Sequence, residues 1–349
     1  MDTGGTGQEP GTGVARLVDV VDLKVHFPIS GGLFIRDRKV LRAVDGVSFS
    51  VGEGETLSLV GESGSGKSTI ALATVGLVSA TSGHITVGGQ TVGELSARGR
   101  LRFHRNAQIV FQDPYSALNP RRKIVNILRD PLDIHDIGTP DERRGRVKEL
   151  LAMVGLRGAV ADRYPKELSG GQRQRVAIAR AIAVEPRVLV CDEPVSALDV
   201  STRAQVLNVL VELQARLGLT YLFIGHDLPV VRHLSDRIAV LYLGRIAEIG
   251  PTEALFEAPA HPYTRGLIEA SPIPEPKRER SRRKIQILGE PPSATDPPPG
   301  CVFHPRCWLY RRLGQPEKCR TVIPTLIAVG RDQAAACHFT GEAQDPATI

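Results

Sequence analysis

An α/β fold, with a parallel-type sheet covered on its faces, is predicted by two observations. Strand-like and helix-like segments alternate along most of the chain. One strand, TLSLV, runs straight into the loop GESGSGKST, Gly61 to Thr69, and that loop opens a helix-like segment. The chain has 349 residues, enough for one large domain with appendages and a substantial core. Hydrophobic residues make up 42% and charged residues 23%, an ordinary globular balance.

Residues 1–15 read as a disordered, Gly-rich tail without the basic and apolar regions of a signal peptide. RLVDVVDLKVHF alternates apolar and polar residues and reads as a strand, and PISGGLFIRDRK reads as a loop insertion. AVDGVSFSV and TLSLV are strands, KSTIALATVGLV is helical by pattern, and GHITVGG returns to strand. From Arg121 to about Gly158 the chain is helix-rich, with Val147, Leu150, Leu151 and Val154 on one apolar face. A helix from Gln172 to Ala183, a buried strand VLVC and a helix from Ser201 to Leu217 come next. The strand TYLFI, a short helix and the strand IAVLYLG complete the alternation. From Pro259 the composition shifts, and SPIPEPKRERSRRK carries six basic residues in a solvated, linker-like run.

Charge and hydropathy exclude some classes. The balance of 44 basic and 38 acidic residues gives +6, short of the basic stripe of a nucleic-acid binder, so no nucleic-acid partner is expected. Apolar runs such as ALATVGLVSA fall well short of the ~20 residues that span a bilayer. Any membrane role is expected to come through partners.

The loop carries the chemistry. Gly61, Gly66, Lys67 and Ser68 fit G-x-x-x-x-G-K-[ST] in the strand-to-helix context that motif needs. Its glycines let backbone N–H groups wrap phosphates, and the helix start adds partial positive charge. Lys67 would reach the β- and γ-phosphates and Ser68 would ligate Mg²⁺, with ATP as the nucleotide. A glycine-rich turn that merely contains GKS would lack this flanking pattern. Downstream, VLVCDEP ends a buried strand on Asp192 and Glu193. Asp192 could hold Mg²⁺, and Glu193 could polarise an attacking water. LSGGQ, Leu168 to Gln172, opens a second helix through Ser169, Gly170 and Gly171. One γ-phosphate does not easily serve two such cradles in one chain, whereas a head-to-tail pair of chains resolves this.

With these motifs in order, the chain resembles the ATPase subunits of ABC transporters. Gly61, Ser63, Gly64, Gly66, Lys67, Ser68 and Thr69 match the Walker A loop. Ser169, Gly170, Gly171 and Gln172 match the family's signature, and Asp192 with Glu193 its Walker B strand. Asp199 in SALD matches the D-loop, and Gln112 in FQDP the Q-loop that senses Mg²⁺. His226 in GHD matches the switch histidine, and Phe27 the aromatic under the adenine. The resemblance implies a P-loop ABC-type nucleotide-binding domain with an antiparallel β subdomain and a helical subdomain over about residues 113–172. It implies ATPase boundaries of 16–258, a C-terminal extension over 259–340 and a tail over 341–349.

FQDPYSALNPR, RYPKELSGGQRQRVAIARAI and HPYTRGL are similar to the ATPases of oligopeptide and dipeptide importers. The insertion before AVDGVS is similar to the second of the two ATPases such systems carry. This implies a paralogous second ATPase subunit, two transmembrane permease subunits, an extracytoplasmic peptide-binding protein and a place at the cytoplasmic face of the membrane. Importers of nickel and other small solutes share much of the pattern. Non-transport ABC ATPases acting on nucleic acid or ribosomes usually carry two cassettes or long coiled-coil inserts, which this sequence lacks.

Cys301, Cys307, Cys319 and Cys337 are spaced C-x5-C-x11-C-x17-C, which is not a zinc-finger spacing. Four thiolates in a loop-rich tail could hold a [4Fe–4S] cluster, as the resemblance also implies, or Zn²⁺, or stand free. Cys191 reads as a small core residue of its strand.

Overall fold

The computed structural model describes residues 16–29, 39–271, 285 and 287–344. The N-terminal tail, most of the PISGGLFIRDRK insertion and nearly all of the basic run therefore lie outside the described residues. Two sheets organise the fold. An antiparallel sheet has the order β2-β1-β4-β5, built from β1 (Arg16–Ile29), β2 (Lys39–Gly52), β4 (Ser82–Val87) and β5 (Gln90–Thr91). The central sheet runs β11-β12-β10-β9-β3-β8-β7-β6, with β10 at Arg245–Pro251, β11 at Ile327–Gly330 and β12 at Gln333–Ala335. Its parallel part comprises β6 (Ala107–Val110), β7 (Val188–Asp192), β8 (Thr220–Ile224), β3 (Thr56–Val60) and β9 (Arg237–Tyr242).

Every residue of β3, β7 and β8 is buried, as expected of near-continuous apolar strands covered on both faces. One core lies between this sheet and the helical side and takes in Leu189, Tyr221 and Leu210. The other lies between the two sheets and takes in Leu57, Leu59, Val190 and Ile224. Alternate residues of one strand thus feed opposite cores. Each fully buried Val, Leu or Ile contributes roughly 1.5–3 kcal/mol.

The helices carry the expected punctuation. The helix-rich segment resolves into α4 (Ile124–Ile134) and α5 (Pro140–Met153), which come after α1 (Lys67–Thr74), α2 (Ala97–Asn106) and α3 (Pro114–Ala117). Helix α5 starts on a capping box, Thr139 with Glu142, and buries Val147, Leu150 and Leu151, with Val154 buried just beyond its end. Then come α6 (Gly170–Ile182), α7 (Val200–Leu217), α8 (Leu228–Leu234), α9 (Thr252–Glu257) and α10 (Pro262–Ala270). No helix among the described residues is long and apolar enough to cross a membrane.

The sequence reading missed α2, β6 and β10 (Arg245–Pro251). ARGRLRFHRN is so polar that only Gly99 and Phe103 are buried, which left no apolar stripe to read. Beyond Pro259 the chain folds back onto the α/β core. It forms α11 (Trp308–Arg312), α12 (Glu317–Thr321), β11 (Ile327–Gly330), β12 (Gln333–Ala335) and α13 (Thr340–Gln344). Strand β12 pairs antiparallel with β10, Glu248 opposite Ala335, so the extension continues the central sheet.

Glu248 staples that junction. It is fully buried and accepts from Ala260 N–H at 2.8 Å, His261 N–H at 2.9 Å and Gln333 Nε2 at 2.8 Å. Burial pushes its carboxyl above the ordinary 4.5, against the pull of these donors. With the folded-state value raised, its contribution to stability is largest below 4.5 and is lost as pH rises through the shifted value. Replacing Glu248 by Ala orphans the buried Ala260 and His261 N–H groups and leaves Gln333 Nε2 only the Ala258 carbonyl. We expect urea unfolding to show a loss of roughly 2–5 kcal/mol, and a loss under about 1 kcal/mol would mean the junction does not depend on it.

Candidate functional site

The strand β3 ends at Val60 and the chain turns at once into the phosphate loop, which leads into the helix α1. Two glycines are dictated by contact and conformation. A Cβ on Gly61 (φ +150°) would lie 2.2 Å from the Leu241 carbonyl oxygen, and one on Gly66 (φ +101°) 2.2 Å from that of Ala43. Gly66 caps α1 without a side-chain hydrogen bond, so the first-turn N–H groups face the loop's hollow. Lys67 is buried and donates from Nζ to the carbonyls of Gly61 (2.9 Å) and Glu62 (2.8 Å) and to Ser65 Oγ (3.3 Å). Burial pushes its pKa down, while Glu193, Asp192 and Glu62 pull it back.

The loop lines an open cavity of about 840 Å³. Gly61, Ser63, Gly64, Gly66, Lys67, Ser68 and Thr69 all contribute, and Gln112, Glu193 and His226 join them from other strands' ends. One carboxylate oxygen, Glu193 Oε2, accepts from Gln112 Nε2 at 3.2 Å and lies 3.1 Å from His226 Nδ1. Gln112 also donates to Ser196 Oγ at 3.3 Å. Glu193 has φ +45°, a left-handed conformation that costs a β-carbon-bearing residue about 1–3 kcal/mol. Asp192 sits behind Ser68, whose Oγ donates to its Oδ1 at 2.9 Å. Burial raises the Asp192 pKa, as does the neighbouring Glu193 charge, against the pull of Ser68 and Lys67. Two acids beside a hydroxyl and an amide give hard oxygen donors of the kind Mg²⁺ takes, so Ser68, Asp192 and Gln112 fit that ion.

Other expected residues stand elsewhere. Phe27 is 39% exposed near the end of β1 and is not among the cavity's lining residues, although its β2 partner Leu41 is. Ser169, Gly170, Gly171 and Gln172 open α6 and do not line the cavity of their own chain. Ser169 and Gln172 form a reciprocal capping box at 3.3 and 3.1 Å. Gly171 has a packing reason that spacing did not reveal. A Cβ there would lie 2.0 Å from Thr202 Cγ2 of α7. Asp199 caps α7, accepting from Thr202 N–H (2.9 Å), Ser201 Oγ (2.7 Å) and Thr202 Oγ1 (2.8 Å). Those donors, led by the Thr202 backbone, pull its carboxyl down to about 2. Next to it, Val200 is 82% exposed.

Sequence reading overlooked Glu62, a free position of the loop motif, and the apolar wall supplied by Leu41, Leu228 and Leu267. The wall could not be read locally, because it comes from β2, α8 and α10.

For the metal expected in the tail, the cysteines meet at one place. Cys301, Cys307, Cys319 and Cys337 do line one small cavity, about 20 Å³, room for about one water. Among the described residues, however, no group of three or more His, Cys, Asp or Glu is placed to hold a metal ion. Burial pushes Cys301 up to about 11 and Cys307 and Cys337 up to about 12, the neutral form that apolar packing favours. Cys191 is a buried core residue of β7, as expected.

The chain is also similar to known proteins. Residues 44–196 match the ABC transporter family, and residues 247–312 match the oligopeptide/dipeptide transporter C-terminal region. The chain is 46% identical to the oligopeptide transport ATP-binding protein AppF of Bacillus subtilis (strain 168), over 93% of this chain and 97% of that protein. It is 47% identical to the dipeptide transport ATP-binding protein DppF of Haemophilus influenzae (strain ATCC 51907 / DSM 11121 / KW20 / Rd), over 89% and 92%. Among solved structures it is similar to the ATP-binding cassette MJ0796 in a dimeric post-hydrolysis state bound to ADP and Pi. That match has a TM-score of 0.60 and 29% identity and covers 67% of this chain and 98% of that one.

The contact at Gly171 is directly testable. Gly171→Ala forces the new methyl onto Thr202 and should cost about 1–3 kcal/mol in denaturant unfolding. Thr202→Ser removes the clashing methyl and keeps the hydroxyl on Asp199, so it should recover most of that loss. A Gly171→Ala variant as stable as the parent would show that the two helices part freely.

Proposed function

The chain belongs to the ABC transporter ATPases, in their oligopeptide/dipeptide branch, and from that premise we propose that it powers peptide import as one half of a head-to-tail ATPase pair. The observation that carries the reading is the meeting of Gln112, Glu193 and His226 on the phosphate-loop cavity, from three separate strand ends.

In this reading ATP lies in the cavity with its phosphates on the loop's N–H groups. Lys67 exchanges the loop carbonyls for the β- and γ-phosphate oxygens. Mg²⁺, when held by Ser68, Asp192 and Gln112, neutralises phosphate charge. Glu193 takes a proton from water as the water oxygen attacks the γ-phosphorus, and the bond to the bridging oxygen breaks to release ADP. His226 steadies the departing phosphate. Gln112, joined to Glu193, registers the state of the site. Ser169 to Gln172 would close over the nucleotide of the partner chain, with Asp199 at the seam. That they do not line the cavity of their own chain supports this arrangement, as does the exposed Val200.

The expected partners are a paralogous ATPase, two permease subunits and an extracytoplasmic peptide-binding protein, with the chain held at the cytoplasmic face. Peptide as cargo is supported by the relatives' names and by the match over residues 247–312. In the tail, a [4Fe–4S] cluster, or else zinc, would require the thiols to lose their protons and open around it. No step of hydrolysis runs through it. Elemental analysis of anaerobically purified chain checks this, with about four irons or about one zinc per chain expected. Finding neither metal means four free thiols.

Glu193→Gln should lower steady-state ATP hydrolysis by about 10²–10⁴-fold while ATP stays bound. In cells, uptake of labelled di- and oligopeptides should collapse while the complex still assembles. Normal hydrolysis by the variant would overturn the assignment of Glu193, and unchanged uptake with hydrolysis lost would overturn peptide as cargo.

A further inference from the structure

The phosphate loop is gripped from outside at Glu62, and the grip comes from the C-terminal extension. Arg306 makes a two-pronged ion pair with the Glu62 carboxylate, Nη1 to Oε2 at 2.7 Å and Nη2 to Oε1 at 3.1 Å. The two residues are 244 apart in sequence. The Glu62 backbone N–H donates to the Tyr263 hydroxyl at 2.9 Å. The Glu62 carbonyl accepts from Lys67 Nζ at 2.8 Å. One residue of the loop is therefore fixed through its amide, its carboxylate and its carbonyl.

The gripping residues are themselves rigidly set. The Arg306 side chain is 8% exposed, and its guanidinium also reaches the Tyr242 hydroxyl (3.3 Å) and the Leu288 carbonyl (3.3 Å). Tyr263 is fully buried, in edge contact with Tyr242 (4.8 Å between ring centres) and tilted against Phe303 (5.3 Å). Arg306 directly precedes Cys307, and the turn from Cys301 that carries it is pinned by Cys301 N–H on the Cys319 carbonyl at 2.9 Å. A guanidinium this buried, in a planar fork on a carboxylate, fixes orientation as well as charge.

We propose that Arg306 and Tyr263 are positioning residues for the phosphate loop, so that the C-terminal extension sets the affinity of the ATP site through Glu62. Two effects add. The fork and the tyrosine hold residue 62 so that the amides after it face the phosphates. The guanidinium also neutralises the carboxylate of Glu62, a residue of the cavity lining, which would otherwise repel the nucleotide. Neither residue touches the reacting atoms.

This inference rests on the cavity being the nucleotide site, and the experiment separates the two ideas. A fluorescent ATP analogue with Mg²⁺ is titrated into the full chain and into variants, and the unfolding midpoint of each is measured alongside. Failure of the unaltered chain to bind the analogue would overturn the nucleotide reading itself, and this inference with it. Arg306→Met should weaken binding roughly tenfold, and Arg306→Lys, which keeps charge but loses the fork, less so. Adding Glu62→Gln to Arg306→Met should recover much of the lost affinity, because it removes the unpaired carboxylate. A tail that merely props up the fold would show a lowered midpoint and no such recovery. Unchanged affinity in Arg306→Met, or a loss that Glu62→Gln leaves in place, would overturn the proposal. If Arg306→Met does not fold, Tyr263→Phe deletes only the hydroxyl on the Glu62 amide. That variant should weaken binding by about threefold or more, and affinity equal to the parent's would overturn the proposal just as surely.

Discussion

The parallel register of the central sheet is the constraint on which the site depends. Strands β3, β6, β7 and β8 point the same way, so their C-terminal ends share one edge. The pairs Leu59 with Ile224, Asp192 with Ile224 and Val110 with Cys191 bring those ends level. The segments that leave the strands at this edge are therefore neighbours of one another. After β3 comes the phosphate loop, after β6 Gln112, at the end of β7 Asp192 and Glu193, and after β8 His226. A slip of one residue in any pair would turn that strand's inward residues outward and displace the residues that follow it. The apolar burial of β3, β7 and β8 on both faces is what prevents such a slip.

The same constraint separates the parts of the molecule that are legible in sequence from those that are not. A phosphate loop is a local object. Its glycines, lysine and serine act within nine residues, and their spacing is visible in the chain. The same holds for the apolar run before Asp192 and for the stripe of α5. Long-range pairing leaves no such local trace. Glu62 sits at a position the motif leaves open, and its partner Arg306 lies among Pro and Cys residues that suggested a separate small module. β10 escaped because RIAEIG comes directly after the strand before it, and the buried Glu248 within it reads locally as a solvent-facing residue. Spacing groups the four cysteines, and the fold does bring them to one cavity, although no metal-ligand group is formed among the described residues.

Within the site, opposite charges are arranged to wait rather than to cancel. Lys67 is tied to carbonyls, which it can leave at little cost once phosphate oxygens, stronger acceptors, arrive. Glu193 offers one oxygen to Gln112 and His226 together, which fixes the carboxylate's plane and leaves Oε1 without either of those partners. The left-handed backbone at Glu193 is held by its N–H on the Ile224 carbonyl at 3.1 Å. The strain is thus sustained by the neighbouring strand, and the acid is aimed before any substrate binds.

A loop that must exchange hydrogen bonds at one point needs a fixed point nearby, or the exchange would move the loop instead of the ligand. Lys67 holds Gly61 and Glu62 by their carbonyls, so its release would free the first two residues of the turn together. Gly61 passes so close to Leu241 that a Cβ there would lie 2.2 Å from its carbonyl oxygen. Glu62 is held by hydrogen bonds of its own. Its amide on Tyr263 and its carboxylate on Arg306 supply the restraint instead, and both survive the departure of the lysine. The amide of residue 62 is thereby committed to the tyrosine, and the phosphates are left to the amides beyond it. The extension that continues the central sheet past β10 therefore acts mechanically near the opposite end of the chain, on a loop residue the motif does not specify.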